Sequence, residues 1–235
     1  MTLYIKFFKK IFPSFIYIFF KKIYHILRFY NIINPEYSTS DSIKFGDEET
    51  GKFLREKIIR SKIFLEYGSG NTSILAFKNN VNIYSIESDR NFYFFLKKKN
   101  LKNLYFYSLG FVSFYSYPLF QSKILKKFYS RKAKIYANEI FKKFNKDNIY
   151  PDVILVDGRY RVLCMLNIFK FLKENNLFKT CVILDDFKDR DYYNMIKIFF
   201  KVSLIGRLGI CYIKKEIEQT QDVNKLIEYY SYDDR

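Results

Sequence analysis

The chain has no tryptophan and one histidine, and in 235 residues it holds only eight glycines, four prolines and three cysteines. Each scarcity excludes something. The lone His25 lies in an N-terminal stretch of Phe, Tyr and Ile, so no histidine can act as a catalytic base in the rest of the chain. Cys164, Cys181 and Cys211 sit in apolar runs, lack metal-site spacing and do not pair evenly, which points to a reducing compartment. No phosphate-binding Walker sequence occurs, and one glycine pair does not complete a dehydrogenase fingerprint. The apolar run Ile11–Phe20 is ten residues, against the roughly twenty that span a bilayer. No small-residue cleavage site follows it, so a secretory signal peptide is not expected. The expected location is the cytoplasm, with peripheral contact at the inner membrane surface as an option.

Acid is also missing where base is plentiful. Residues 1–35 carry Lys6, Lys9, Lys10, Lys21, Lys22 and Arg28 and no acid. Residues 97–146 hold 13 Lys and Arg against the single acid Glu139. The segment 216–235 reverses the balance, with six acids against Lys225 and Arg235. The net charge of +17 therefore sits mainly in the middle of the chain. A bias toward Lys, Ile, Asn, Phe and Tyr can arise from codon usage alone, and such charge then says little about fold.

Three regions follow from composition. Residues 1–35 form a basic, aromatic extension whose segment 3–30 reads as a helix, packed on the domain or on a partner, or lying in a membrane interface. Asn31 to Gly46, with Pro35 and a Ser/Thr cluster, reads as a linker. Residues 47–214 form the main domain and 215–235 an acidic tail. Asp47 is placed to cap a helix reaching about Arg60, with Glu48 and Glu49 in its first turn. Strands follow at 63–67, 81–87, 103–107, 152–156, 180–184, 201–206 and 209–214. Helices lie between them at 71–79, 90–99, 131–145, 160–174 and 190–200, with 108–130 irregular. Buried strands alternating with helices predict an α/β fold: a Rossmann-like, doubly wound, seven-stranded sheet. It is mostly parallel, with a C-terminal antiparallel hairpin, and the N-terminal helix lies outside it.

Ligands in such sheets bind at the carboxyl ends of the strands. Reading those ends gives Glu66, Glu87, Asp157 and the pair Asp185-Asp186. The first is followed by Tyr67-Gly68-Ser69-Gly70-Asn71-Thr72, a glycine turn that lets backbone approach a ligand closely. About twenty residues on, Glu87 ends the second strand, where an acid can accept hydrogen bonds from ribose hydroxyls. Each aspartate could instead cap the helix that follows it.

On these residues the chain resembles the class I S-adenosylmethionine-dependent methyltransferases, over roughly residues 47–214. Glu66-Tyr67-Gly68-Ser69-Gly70-Asn71-Thr72 is similar to the family's first motif, with Thr72 replacing its last glycine. The resemblance implies S-adenosylmethionine as cofactor. Glu66, Gly68, Ser69 and Gly70 would line its methionine end, Glu87 would hold the ribose, and Ser88 and Asp89 would lie by the adenosine. Val156-Asp157-Gly158-Arg159-Tyr160-Arg161-Val162 with Leu184-Asp185-Asp186-Phe187 resembles a bacterial group of methyltransferase-like proteins of unassigned activity. Asp157, Asp185 and Asp186 also occupy the places where catechol-type O-methyltransferases hold a metal, so Mg²⁺ is a candidate second cofactor.

The expected reaction is in-line attack of an acceptor oxygen or nitrogen on the sulfonium methyl, driven by alignment. Asp157, with Asp186 beside it, would lower the acceptor's proton affinity. Arg159, Tyr160 and Arg161 would bind the acceptor, or the arginines would pair with the aspartates. The basic 97–146 segment suggests an anionic acceptor, a small molecule or a phosphorylated or acidic glycan. A competing reading makes the chain a catalytically degenerate protein that binds RNA through residues 97–146, although no RNA-binding signature accompanies them. Asn34-Pro35-Glu36-Tyr37 precedes the first strand and lacks a second proline, which excludes an amino-group methyltransferase motif.

Overall fold

The structure, a computed structural model, describes residues 14–30, 37, 47–113, 118–119, 122–217 and 222–235, without the side chains at 15 and 29. The expected linker, apart from Tyr37, and the first residues of the N-terminal helix lie outside the described residues.

The elements in chain order are α1 (Ser14–Phe29), α2 (Glu48–Arg60), β1 (Ile63–Tyr67), α3 (Asn71–Lys78), β2 (Asn82–Glu87), α4 (Arg90–Lys97) and β3 (Leu104–Phe106). They continue with α5 (Lys123–Asp147), β4 (Val153–Val156), α6 (Arg161–Glu174), β5 (Cys181–Leu184), a 3₁₀ helix (Asp191–Ile198), β6 (Phe200–Ile205), β7 (Leu208–Ile213) and α7 (Val223–Tyr230). One seven-stranded sheet runs β3-β2-β1-β4-β5-β7-β6. The first five strands in that order are parallel. β7 is antiparallel to β5 and forms a hairpin with β6. The expected α/β sheet is the one observed.

The strands read as apolar runs because both sheet faces are covered. Leu65, Tyr67, Ile154, Val156, Val182 and Leu184 point into the core beneath α5 and α6. Their neighbours Phe64, Val153, Leu155 and Ile183 point the other way, against α2 and α3. Leu163 to Phe169 of α6 is buried on every side, hence its apolar sequence, broken only by Asn167, whose Nδ2 donates to the Leu163 carbonyl at 2.8 Å. Asp47 caps α2 as expected, its Oδ1 accepting the Thr50 N–H at 2.7 Å.

Three elements differ from expectation, and the N-terminal helix takes one of its stated alternatives, packing on the domain. α5 begins at Lys123 rather than 131, because Ser122 caps it, accepting the Leu125 N–H at 3.4 Å. The expected helix 190–200 is a 3₁₀ helix, whose buried residues Tyr193 and Ile196 recur at its three-residue turn. The acidic tail contains α7, which packs on α6 through Leu226, Ile227 and Tyr230. Beyond α7, the Ser231 and Ser130 hydroxyls meet at 2.5 Å, and the Arg235 carbonyl accepts the Arg161 N–H at 2.9 Å. The tail thus supports the turn after β4. Finally, α1 docks on α4 through the buried His25 and Arg28 while Ile18, Phe19 and Phe20 stay exposed. Among the described residues no helix is long and apolar enough to cross a membrane.

Candidate functional site

The strand order reverses between β1 and β4, and there a cleft of about 670 Å³ opens at the carboxyl ends of the strands. Its walls come from the turns after β1, β2, β4 and β5, from Arg207 in the β6–β7 hairpin, and from Tyr37.

The turn after β1 holds Gly68 with its N–H on the Ile86 carbonyl at 2.9 Å. Its φ is +92°, and a Cβ there would lie 2.9 Å from the backbone of Asp157 and Gly158. Gly68 is thus required by backbone packing between the turns after β1 and β4. A side chain at this position meets protein before it meets a ligand, so a bulkier residue should disturb the fold as well as the site. Gly70 differs: a Cβ there would have no atom within 4 Å, and unlike the expectation from the sequence the residue is not on the cleft wall. Gly68 and Ser69 line the cleft.

Glu66 lies beneath this turn, not on the cleft wall. Its Oε2 accepts the Thr72 hydroxyl at 2.6 Å, and its Oε1 accepts the hydroxyls of Ser85, at 2.6 Å, and Ser73. The Ser69 hydroxyl reaches the same cluster through Ser85 at 2.6 Å. Burial pushes the Glu66 carboxyl up to about 7, against the pull of the three hydroxyls. Its role is to fix the glycine turn to β2. Sequence position alone cannot separate this role from ligand contact.

Glu87 does reach the cleft. Its Oε1 accepts the N–H groups of Ser88 and Asp89 at 2.7 and 2.6 Å. Oε2 takes no hydrogen bond from the described residues. Burial raises this carboxyl to about 8, opposed by those N–H groups and reinforced by the nearby Asp89 and Glu66 charges. Ser88 and Asp89 also line the cleft. Asp89 caps α4, its Oδ1 accepting the Asn91 N–H at 3.0 Å, while Oδ2 pairs with Arg28.

Across the cleft, Asp157, Asp185 and Asp186 line the opposite wall. Arg161 donates from Nη2 to Asp157 at 3.0 Å, from Nη1 to the Asp185 carbonyl at 2.6 Å and from Nε to the Gly158 carbonyl at 3.1 Å. Arg207 faces the buried Asp185 with Nε and Nη2, at 2.8 and 2.9 Å. Arg190 donates to Asp186 at 2.6 Å. Burial, followed by the Asp185 charge, holds the Asp157 carboxyl well above the usual carboxylate range. Among the described residues no group of three or more acid, histidine or cysteine side chains is arranged to hold a metal. Guanidinium groups neutralise these aspartates instead, so the expected Mg²⁺ site does not fit this donor set. Of the two uses open to Arg161, pairing with aspartate is the one adopted.

Tyr160 turns away from the cleft. It is buried at the start of α6 with φ +54° and lies with Tyr129, Ser231 and Asp234 in a separate pocket. The expected acceptor contact is not formed there, and Arg159 is the member of the trio on the cleft surface beside Arg161. The basic 97–146 segment contributes no described residue to the cleft wall. Lys134, Lys142 and Lys143 of α5 form exposed ion pairs with Glu228, Glu139 and Asp147, which contribute little to stability.

Sequence reasoning missed Arg190, Arg207, Tyr37 and Phe92. Arg207 follows Gly206 in the hairpin turn, and a basic residue beside a strand-end acid pair was the available signal. Nothing local marks Tyr37 or Phe92, whose rings meet at 5.1 Å on the cleft wall.

No family model and no curated protein match this chain. Among solved structures it is similar to a methyltransferase-like protein from Silicibacter pomeroyi DSS-3, with a TM-score of 0.61 and 20% identity. The alignment covers 81% of this chain and 97% of that one. At this identity the likeness establishes the fold, a Rossmann-like α/β sheet of methyltransferase-like form.

Proposed function

We propose that this chain transfers a methyl group from S-adenosylmethionine to an anionic acceptor, a small molecule or an acidic glycan. One observation carries the reading: the glycine turn at Gly68 and Ser69 and the cleft-facing acid Glu87 share one cavity with Asp157. When bound, the cofactor supplies an electrophilic methyl on a sulfonium. The residues fit such a group. Gly68 and Ser69 bring backbone to the cleft wall, and Glu87 keeps an acceptor oxygen toward ribose hydroxyls.

Asp157 is the proton acceptor in this reading. Its raised proton affinity suits removal of a proton from an acceptor hydroxyl or amine, and Arg161 fixes its orientation. Asp186 lies beside it, held by Arg190. The acceptor's negative charge is supported by this half of the cleft, whose wall carries Arg159, Arg161, Arg190 and Arg207. Forked guanidiniums match carboxylate or phosphate oxygens. Peripheral attachment to an anionic membrane is a second element of the proposal, supported by exposed Ile18, Phe19 and Phe20 beside exposed Lys21.

Titration calorimetry with S-adenosylhomocysteine tests the reading. Saturable heat at one site per chain, lost on Glu87→Ala, is expected. A folded protein that gives no heat and no thermal stabilisation with this ligand overturns the cofactor assignment.

A further inference from the structure

Part of the cleft wall belongs to neither the sheet nor its crossover helices. Tyr37 comes from the segment between α1 and α2, yet it lines the cleft beside Glu87 and Asp89. Its ring packs against Phe92 at 5.1 Å and Phe95 at 5.5 Å. Its hydroxyl is buried and has no hydrogen-bond partner among the described residues. Buried hydroxyls almost always find one, and this residue lines the cleft, so a ligand atom is a partner it can take. Burial, then the charge of Asp89, keeps the proton on this oxygen, so the group is a donor.

A second contact ties this wall to α1. Arg28 is buried and pairs with Asp89, and it also donates to the Ser113 carbonyl at 3.3 Å. Asp89 in turn accepts the N–H groups of Asn91 at 3.0 Å and Phe92 at 3.3 Å. Arg28 thus fixes the residue that orients Phe92, the partner of Tyr37.

We propose that Tyr37 is a ligand-contacting residue that closes the nucleoside half of the cleft, its hydroxyl donating to the nucleoside and its ring, with Phe92, forming an aromatic wall. Arg28 is a positioning residue for that wall. The chemistry recognised is a flat heterocycle for the rings and a sugar or ring acceptor atom for the hydroxyl, beside Glu87, which accepts from sugar hydroxyls. The N-terminal extension is then part of the binding site. This inference rests on the methyl-donor reading and assigns to that site residues from outside the sheet domain.

The test measures S-adenosylhomocysteine and adenosine binding to the full chain and to Tyr37→Phe, which keeps the ring and its packing. Loss of one neutral hydrogen bond should weaken both ligands equally, by roughly 3- to 10-fold. Arg28→Met should weaken both as well, and Arg28→Lys, which keeps a cation against Asp89, should recover part of the loss. Wild-type binding with Tyr37→Phe unchanged overturns the contact. So does a loss confined to S-adenosylhomocysteine, which would put the contact on the amino-acid side. Arg28→Met that binds like wild type overturns the positioning role. If the wild type binds neither ligand, the methyl-donor reading falls and takes this inference with it.

Discussion

Glu66→Gln should flatten the pH dependence of folding stability. In the folded chain the Glu66 carboxyl is pushed from 4.5 up to about 7 by complete burial. An acid whose folded pKa exceeds its unfolded value favours the fold only while protonated. Its contribution is full below about pH 4.5, is lost as pH rises toward 7, and stays lost above that. A shift of this size corresponds to about 3 kcal/mol at ~1.4 kcal/mol per unit. About 2.5 kcal/mol of that falls between roughly pH 5 and pH 8. Glutamine has nearly the same shape and does not titrate. The hydroxyls of Thr72, Ser73 and Ser85 can rotate to donate to its oxygen or accept from its nitrogen. Urea unfolding of both proteins at the two pH values isolates the effect, because Glu87, Asp157 and the other titrating groups are common to both. The wild type should lose about 2.5 kcal/mol more than the variant on going to the higher pH. Parallel pH profiles would refute the argument that Glu66 is buried with a titratable proton.

Gly68→Ala should cost about 2–5 kcal/mol, because φ is positive and the new Cβ meets backbone, whereas Gly70→Ala should fold normally. Thermal denaturation checks this, and equal stabilities would contradict it. Glu87→Ala should weaken S-adenosylhomocysteine binding by about 1.5–3 kcal/mol, measured by calorimetry, and unchanged affinity removes Glu87 from the site. Arg207→Met leaves buried Asp185 without its closest cation, with Arg161 Nη1 still 4.0 Å away. The cost in urea unfolding should fall near the lower end of about 3–5 kcal/mol, and a cost below about 1 kcal/mol would refute the importance of the Arg207–Asp185 pair. The triple change Ile18→Ser, Phe19→Ser and Phe20→Ser should reduce co-sedimentation with anionic vesicles without altering unfolding. Unchanged sedimentation argues against a membrane role for that face.

The sheet was legible because each of its central strands is buried on both faces and is written as a short apolar run between helices. The acids at the strand ends were legible for the same reason, since Glu66, Glu87, Asp157 and Asp185 each end such a run. What each acid does was not. Glu66 lies inside β1, level with Ser85, and is enclosed by hydroxyls from α3 and β2, whereas Glu87 ends β2 two residues further on and faces the cleft. Strand register and the packing of α3 separate the two. Tyr160 follows the strand-end motif, but its positive φ turns the side chain to the far side of the turn. α5 was read as starting too late because exposed Ile124 and Phe128 blur its apolar stripe. Arg28 and Tyr37 reach the cleft through docking of α1, a long-range contact that leaves no local pattern in the sequence.

The mutual contact of Gly68 and Gly158 has an evolutionary consequence. A Cβ on Gly68 would strike the backbone of Asp157 and Gly158, and one on Gly158 would strike the Tyr136 hydroxyl and approach the Gly68 nitrogen to 3.2 Å. The turns after β1 and β4 are therefore seated directly on each other. Selection for a stable fold alone would preserve both glycines, even in a descendant that had lost its chemistry. A glycine signature of this type in a related sequence thus attests to inherited architecture. Evidence that a lineage still catalyses must come from positions that cost the fold little to abandon, such as the orphan hydroxyl of Tyr37.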